Sequence, residues 1–298
     1  MIRIKKLSLL LSLPLLLQPL IAEPNQNQEI PTIGLKPLSP ATEAQFAFLC
    51  LDNGEVASEA DLKKALVKWF ELASEQDIHE WKLNPKTQSF SWRIGRSRFV
   101  ATHENQAIPK DDIRYASNNS LHWPDAEQEM LKHAAHYTIT CTSIHREPWH
   151  AALDLTHTLA AFTETHDTSG VYWGDASIVH SPESFLKQAS YQLDDTGNIP
   201  GALWIGILFE SNTNGGWNIF TDGFSPLGFQ DIEIHNSQLK RTSLFQLLNK
   251  TKQQVLERKL KLSNDLIIDG PDDSKWKVST GESIIGKDKP VWILTQQK

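Results

Sequence analysis

The chain has 298 residues, 40% of them hydrophobic and 22% charged, with ten tryptophans and a formal net charge of −7. That length and balance suit one large globular domain or two smaller ones sharing a surface. No run of Lys and Arg forms a basic stripe beyond the N-terminus, so no nucleic-acid partner is expected.

Residues 1–22 stand apart. Arg3, Lys5 and Lys6 give a basic start, and an apolar run follows to Ala22, interrupted by Pro14, Gln18 and Pro19. This layout predicts a secretory signal peptide and places the mature protein outside the cytoplasm, periplasmic or extracellular. The run is shorter than the roughly 20 residues a spanning helix needs, so no stable membrane span is expected after its removal. Losing three positive charges leaves a mature chain near −10. Residues 23–43 carry Pro24, Pro31, Pro37 and Pro40 with little apolar periodicity, and read as a linker or loosely attached arm.

Residues 44–146 form the first expected α/β unit. "AQFAFLCLD" reads as a buried strand. "SEADLKKALVKWFELA" reads as a helix started by Ser58 and Asp61, with Leu62, Ala65, Leu66, Trp69 and Phe70 on one face. "QSFSWRIG" and "RSRFVATH" alternate on either side of Gly95 and Arg96, which predicts a hairpin. "WPDAEQEMLKHAAH" reads as a helix and "YTITCTS" as the closing strand, with His136 already at its start. The order β-α-β-β-α-β is that of a ferredoxin-like layer. Cys50 and Cys141 lie late in their strands. If those strands pair antiparallel, the two sulfurs are separated by several residues at roughly 3.3 Å each. Two buried thiols are then expected rather than a bridge, even in an oxidising compartment.

Residues 147–298 form a connecting helix and a second α/β unit. "REPWHAALDLTHTLAAFTETH" is the helix. "GVYWG" is a short strand, "SPESFLKQAS" a short helix and "GALWIGILFES" a buried strand. "NGG" turns the chain into "WNIFTDG"; "QDIEIHN" is a strand, "RTSLFQLLNKTKQQVLERKL" a helix and "PVWILTQ" a final strand. The whole is expected to be α/β (α+β): two ferredoxin-like units packed as one body.

"GVYWGDASIVHSPESF", "LWIGI", "FTDGFSPLGFQDIEI" and "IIDG…GESIIG" resemble the bacterial domain of unknown function numbered 4261. The resemblance covers about residues 170–286 and extends more weakly upstream from about residue 46. It implies an α/β fold and carries no established activity, so no catalytic residue follows from it.

The chemistry-bearing residues point mainly to structure. Asp175 suits a turn after Gly174, and Ser181-Pro182-Glu183 suits a helix start. The sharper reading makes Asp175 and His180 an acid/base pair with Trp173 as a stacking wall. Five histidines fall between His133 and His157, without the H-E-x-x-H or Cys/His pattern of a zinc site. His133, His150, His157 and Asp154 are where a metal would sit, but no metal and no cofactor is expected. "GFSPLG" departs from the nucleophile elbow by one residue, and Pro226 removes the N–H an oxyanion hole would use. Phosphate-binding glycine loops are missing from the sequence. The expected function is therefore a non-catalytic binding module for a protein or small ligand, with Trp173, Asp175, His180, Asp222 and Trp217 as candidate contact residues. The alternative is a hydrolase or metal-dependent enzyme built on Asp175/His180 or on the histidines.

Overall fold

The structure is a computed structural model that describes residues 44–190, 199–212, 214–287 and 290–297. The expected leader (1–22) and proline-rich arm (23–43) lie outside the described residues. Thirteen strands and seven helices are found among those described, arranged around two sheets within one compact unit.

The first sheet has seven strands: β1 (Gln45–Leu51), β2 (Ile78–Asn84), β3 (Ser89–Ile94), β4 (Ser97–Glu104), β5 (Ala135–Ser143), β6 (Thr168–Trp173) and β7 (Ile178–His180). Their spatial order is β2-β3-β4-β5-β1-β6-β7, and every pair is antiparallel. β1 is apolar on both faces because both are covered. Ala47, Leu49 and Leu51 face a core shared with α1 (Glu59–Trp69) and α4 (Pro148–Thr165). Cys50 and Gly170 share the other face, where α2 (Lys110–Asn119) and α3 (Ala126–Met130) pack.

Several local expectations hold. Ser58 caps α1 by accepting the Asp61 N–H at 3.1 Å. The β3–β4 hairpin closes at Ile94–Ser97 around Gly95. β1 and β5 pair antiparallel with Cys50 opposite His136 and Cys141 opposite Gln45, so both cysteines are free and buried.

The ferredoxin-like strand order is not found. That order would set β1 between β4 and β5, whereas here β5 lies between β4 and β1, and β6 takes the other side of β1. The added strand β2 turns the hairpin into a meander that runs on into β5, and the two-sided apolar β1 takes β6 on its free edge. The helix expected over "WPDAEQEMLKHAAH" is confined to α3, because the chain must be extended from Ala135 to pair with β1.

The second sheet comprises β8 (Gly206–Ser211), β9 (Trp217–Asp222), β10 (Ile232–Ser237), β11 (Ile267–Asp269), β12 (Lys275–Gly281) and β13 (Val291–Gln296). Its order is β11-β12-β13-β10-β9-β8, antiparallel except for β10 with β13. α5 (Pro182–Ala189) and α6 (Gly201–Trp204) precede it, and α7 (Arg241–Leu256) packs on β8 and β9. The expected strand "GALWIGILFES" therefore starts as a helical turn and becomes extended only at Gly206.

Candidate functional site: the polar junction beside the two sheets

The stretch from Gly170 to Phe185 runs through β6, a tight turn at Gly174–Ala176, β7 and the start of α5. Ser181 caps α5, accepting the Ser184 N–H at 3.3 Å, with Pro182 in the first position. Trp173 is 1% exposed and stacks on Trp204 with ring centroids 6.3 Å apart. It belongs to the core.

His180 has no exposed surface. Its Nε2 lies 3.2 Å from the Leu203 carbonyl and its Nδ1 lies 3.1 Å from His122 Nε2. A carbonyl can only accept, so Nε2 carries the proton and Nδ1 accepts from His122. Both nitrogens are thus engaged, and neither partner is Asp175, which sits half-buried in the turn. Burial, and then the neighbouring His122, push the His180 pKa down to about 3, so the ring is neutral. His180 is therefore hydrogen-bonded to His122 and the Leu203 carbonyl and not to Asp175. A groove of about 670 Å³ opens at the surface nearby and is lined by residues that include Ser181, Glu183, Trp123 and Asp52, but not Asp175 or His180.

The residues named for a metal diverge. His133 accepts the Ile108 N–H at 2.8 Å and donates to the Met130 carbonyl at 2.5 Å. Asp154 takes the Ser97 hydroxyl at 2.5 Å and the Arg146 guanidinium at 2.8 Å. His157 packs against Trp69 and Phe70, and His150 stacks on Trp149. Among the described residues no group of three or more His, Cys, Asp or Glu is placed to hold a metal ion.

Asp222 does converge with other groups, though not at the surface. It ends β9, is 8% exposed and accepts from Lys287 Nζ at 3.0 Å. The same ammonium donates to Asp231 Oδ2 at 2.6 Å and to the Thr221 carbonyl at 3.0 Å. Asp231 Oδ1 takes the Thr221 hydroxyl at 3.0 Å and the Phe224 N–H at 3.2 Å. Burial would pull the Lys287 pKa down, but the two carboxylates outweigh it and raise it. Burial pushes Asp231 up against the pull of Lys287.

Two residues along β10, on the same face, Glu233 is fully buried. It accepts from His235 Nε2 at 2.7 Å, the Ser283 hydroxyl at 2.6 Å and the Ile284 N–H at 3.0 Å. Burial opposes its ionisation, yet these bonds more than offset that and its pKa is lowered. Ser283, Ile284 and Lys287 all belong to the segment between β12 and β13. Two charged anchors therefore clasp that segment across β9 and β10. Serine, histidine and carboxylate meet here, but Ser283 and His235 each bind the glutamate, so no base is positioned on the hydroxyl.

Asp231, Glu233, Ser283 and Lys287 were not singled out from the sequence. The signal available was charge inside an apolar strand. "DIEI" alternates two carboxylates with Ile232 and Ile234, and a buried carboxylate needs partners elsewhere in the chain.

Fold and site together define a mixed α/β protein with two antiparallel-rich sheets whose conspicuous polar groups are bonded internally. Residues 220–295 match the family model described as Domain of unknown function (DUF4261), and this segment holds both anchors of the clasp. No curated protein and no solved structure matches the chain.

Proposed function

We propose that the protein is an exported, non-catalytic interaction module that meets a protein partner through a patch formed by Phe209, Trp217 and Arg241. Export is supported by the layout of residues 1–22. In addition, among the described residues no helix is long and apolar enough to cross a membrane. The absence of catalysis is supported by His180, whose ring nitrogens are both engaged within the protein, and by Asp222, whose carboxylate takes Lys287.

The observation that carries the binding reading is the stack on the outermost strands of the second sheet. The Arg241 guanidinium lies 4.5 Å from the Phe209 ring centre and 5.0 Å from that of Trp217. The two rings meet edge to face at 6.2 Å. Phe245, 36% exposed, follows one turn later on α7. Beside it, Asn212 Oδ1 accepts the N–H groups of Asn214 and Gly216, each at 2.9 Å. Rigid aromatic and arginine groups dominate interface energies because little entropy is lost when they bind.

Crosslinking in exporting cells, with capture of the mature protein, tests this. Trp217→Ala and Arg241→Ala should each reduce recovery of the crosslinked partner about tenfold, equivalent to ~1.4 kcal/mol, with circular dichroism unchanged. Undiminished recovery in both variants would rule out the patch. Mass analysis of the purified protein should find Glu23 at the N-terminus; a cytoplasmic chain retaining residues 1–22 would rule out export.

A further inference from the structure

Two chain connections leave the same end of the first sheet, and each is pinned by a histidine nitrogen that carries no proton. The connection from β1 to α1 spans residues 52–58, and its Ala57 N–H donates to His166 Nε2 at 3.1 Å. The connection from β4 to α2 spans residues 105–109, and its Ile108 N–H donates to His133 Nε2 at 2.8 Å. The other ring nitrogen is used as well. His166 Nδ1 donates to the Phe162 carbonyl at 2.8 Å, and His133 Nδ1 to the Met130 carbonyl at 2.5 Å. A backbone N–H only donates and a carbonyl only accepts, so each place fits one tautomer of the neutral ring. A second proton would sit on Nε2 and oppose the N–H that nitrogen now accepts.

The two connections touch. Asn105 packs on Gly54, where an added Cβ would lie 2.8 Å from Asn105 Oδ1. Of their residues only Ile108 is buried, so little apolar packing holds them down. His136 also ties the second connection, donating from Nδ1 to the Gln106 carbonyl at 2.7 Å, but a protonated ring keeps that bond. The titratable and charged groups facing His133 are His136 on β5 and Asp52 after β1. Those facing His166 are His103 on β4, Asp167 and Tyr137, whose ring centre is 5.3 Å away. Burial is the largest influence on both imidazoles and lowers their pKa, against the pull of the Met130 and Phe162 carbonyls. A histidine freed into water titrates near 6.5, so opening takes up protons and is favoured as pH falls below about 6.5.

We propose that His133 and His166 form an acid-released latch. Protonation at Nε2 frees the Ile108 and Ala57 amides, and the paired connections lift from the sheet end while both sheets stay folded. Asp52, on the first connection, also lines the groove of about 670 Å³, so release changes that groove's wall. The latch uses none of the contact-patch residues.

Amide exchange read residue by residue at pH 7 and pH 5, corrected for the intrinsic exchange rate, tests the latch. Protection of Ala57 and Ile108 should fall about tenfold at pH 5. Protection of Gly216, whose N–H is held by the Asn212 side chain, should not. His133→Gln and His166→Gln supply acceptors that do not titrate; each should reduce the fall, and the double variant should abolish it. Imidazole nitrogen resonances of wild type give a reading that needs no variant to fold. Both rings should be bare at Nε2 at pH 7 and gain a proton there over the range in which protection is lost. Unchanged protection of both amides at pH 5, an equal fall at Gly216, or an undiminished fall in the double variant would overturn the proposal. So would a proton on Nε2 of either ring at pH 7.

Discussion

His180 has no surface and both ring nitrogens engaged, and its pKa lies near 3 against an ordinary 6.5. Between those values the unfolded chain binds a proton that the folded chain does not. The His180 contribution is therefore intact above pH 6.5 and is lost as pH falls towards 3, with a slope approaching about 1.4 kcal/mol per pH unit. Urea unfolding at pH 7 and pH 5 should show this loss, and His180→Asn should flatten it; an equal slope in both proteins would show that His180 is not its source. Gly223 is a second single-residue constraint. Its φ is +115°, and a Cβ there would run into the Trp204 carbonyl oxygen. Gly223→Ala should destabilise by about 2–3 kcal/mol, measured as a lower urea midpoint. The sequence makes His180 and Trp173 conspicuous but contains no local sign of burial, because what covers them comes from α6, more than twenty residues downstream. Ser181 was legible as a cap because every partner in that bond lies within three residues.

At the scale of elements, helices with a capped start were readable along the chain, as in α1 and α5. Removing the α5 cap with Ser181→Ala should cost about 1 kcal/mol in urea unfolding. β11 and β12 were not readable as strands: Ile267 and most of Lys275–Gly281 are at least partly exposed, and β11 is three residues long. Their assignment depends on pairing, not on local pattern. The segment between β12 and β13 is the least legible element of the site, since it is held by Glu233 fifty residues away and by Asp231 fifty-six residues away. Ser283→Ala should loosen it. Amide exchange at Ile284 should speed up by about fivefold, for a hydrogen bond worth ~1 kcal/mol. Unchanged exchange would mean the Glu233 anchor does not hold this segment.

At the scale of the whole molecule, strand order is the part of the fold that local sequence leaves open. The same run of strands and helices fits a ferredoxin-like layer and the observed meander; the choice is made by which edges of β1 become buried, a property of the assembled sheet. Register was more accessible, and the separation of the two cysteines followed from strand direction alone. Both thiols are fully buried and burial raises their pKa, so thiol reagent should find no reactive cysteine in native protein and two after denaturation. The central claim concerns the family-matched segment, where buried charges fasten the backbone. Its most direct test is the unfolding free energy of Lys287→Met. That substitution strips the ammonium from Asp222 and Asp231 and should cost about 3–5 kcal/mol, with the Asp222→Asn/Asp231→Asn background recovering much of the loss. A change below about 0.5 kcal/mol, the range of an ordinary surface substitution, would contradict it.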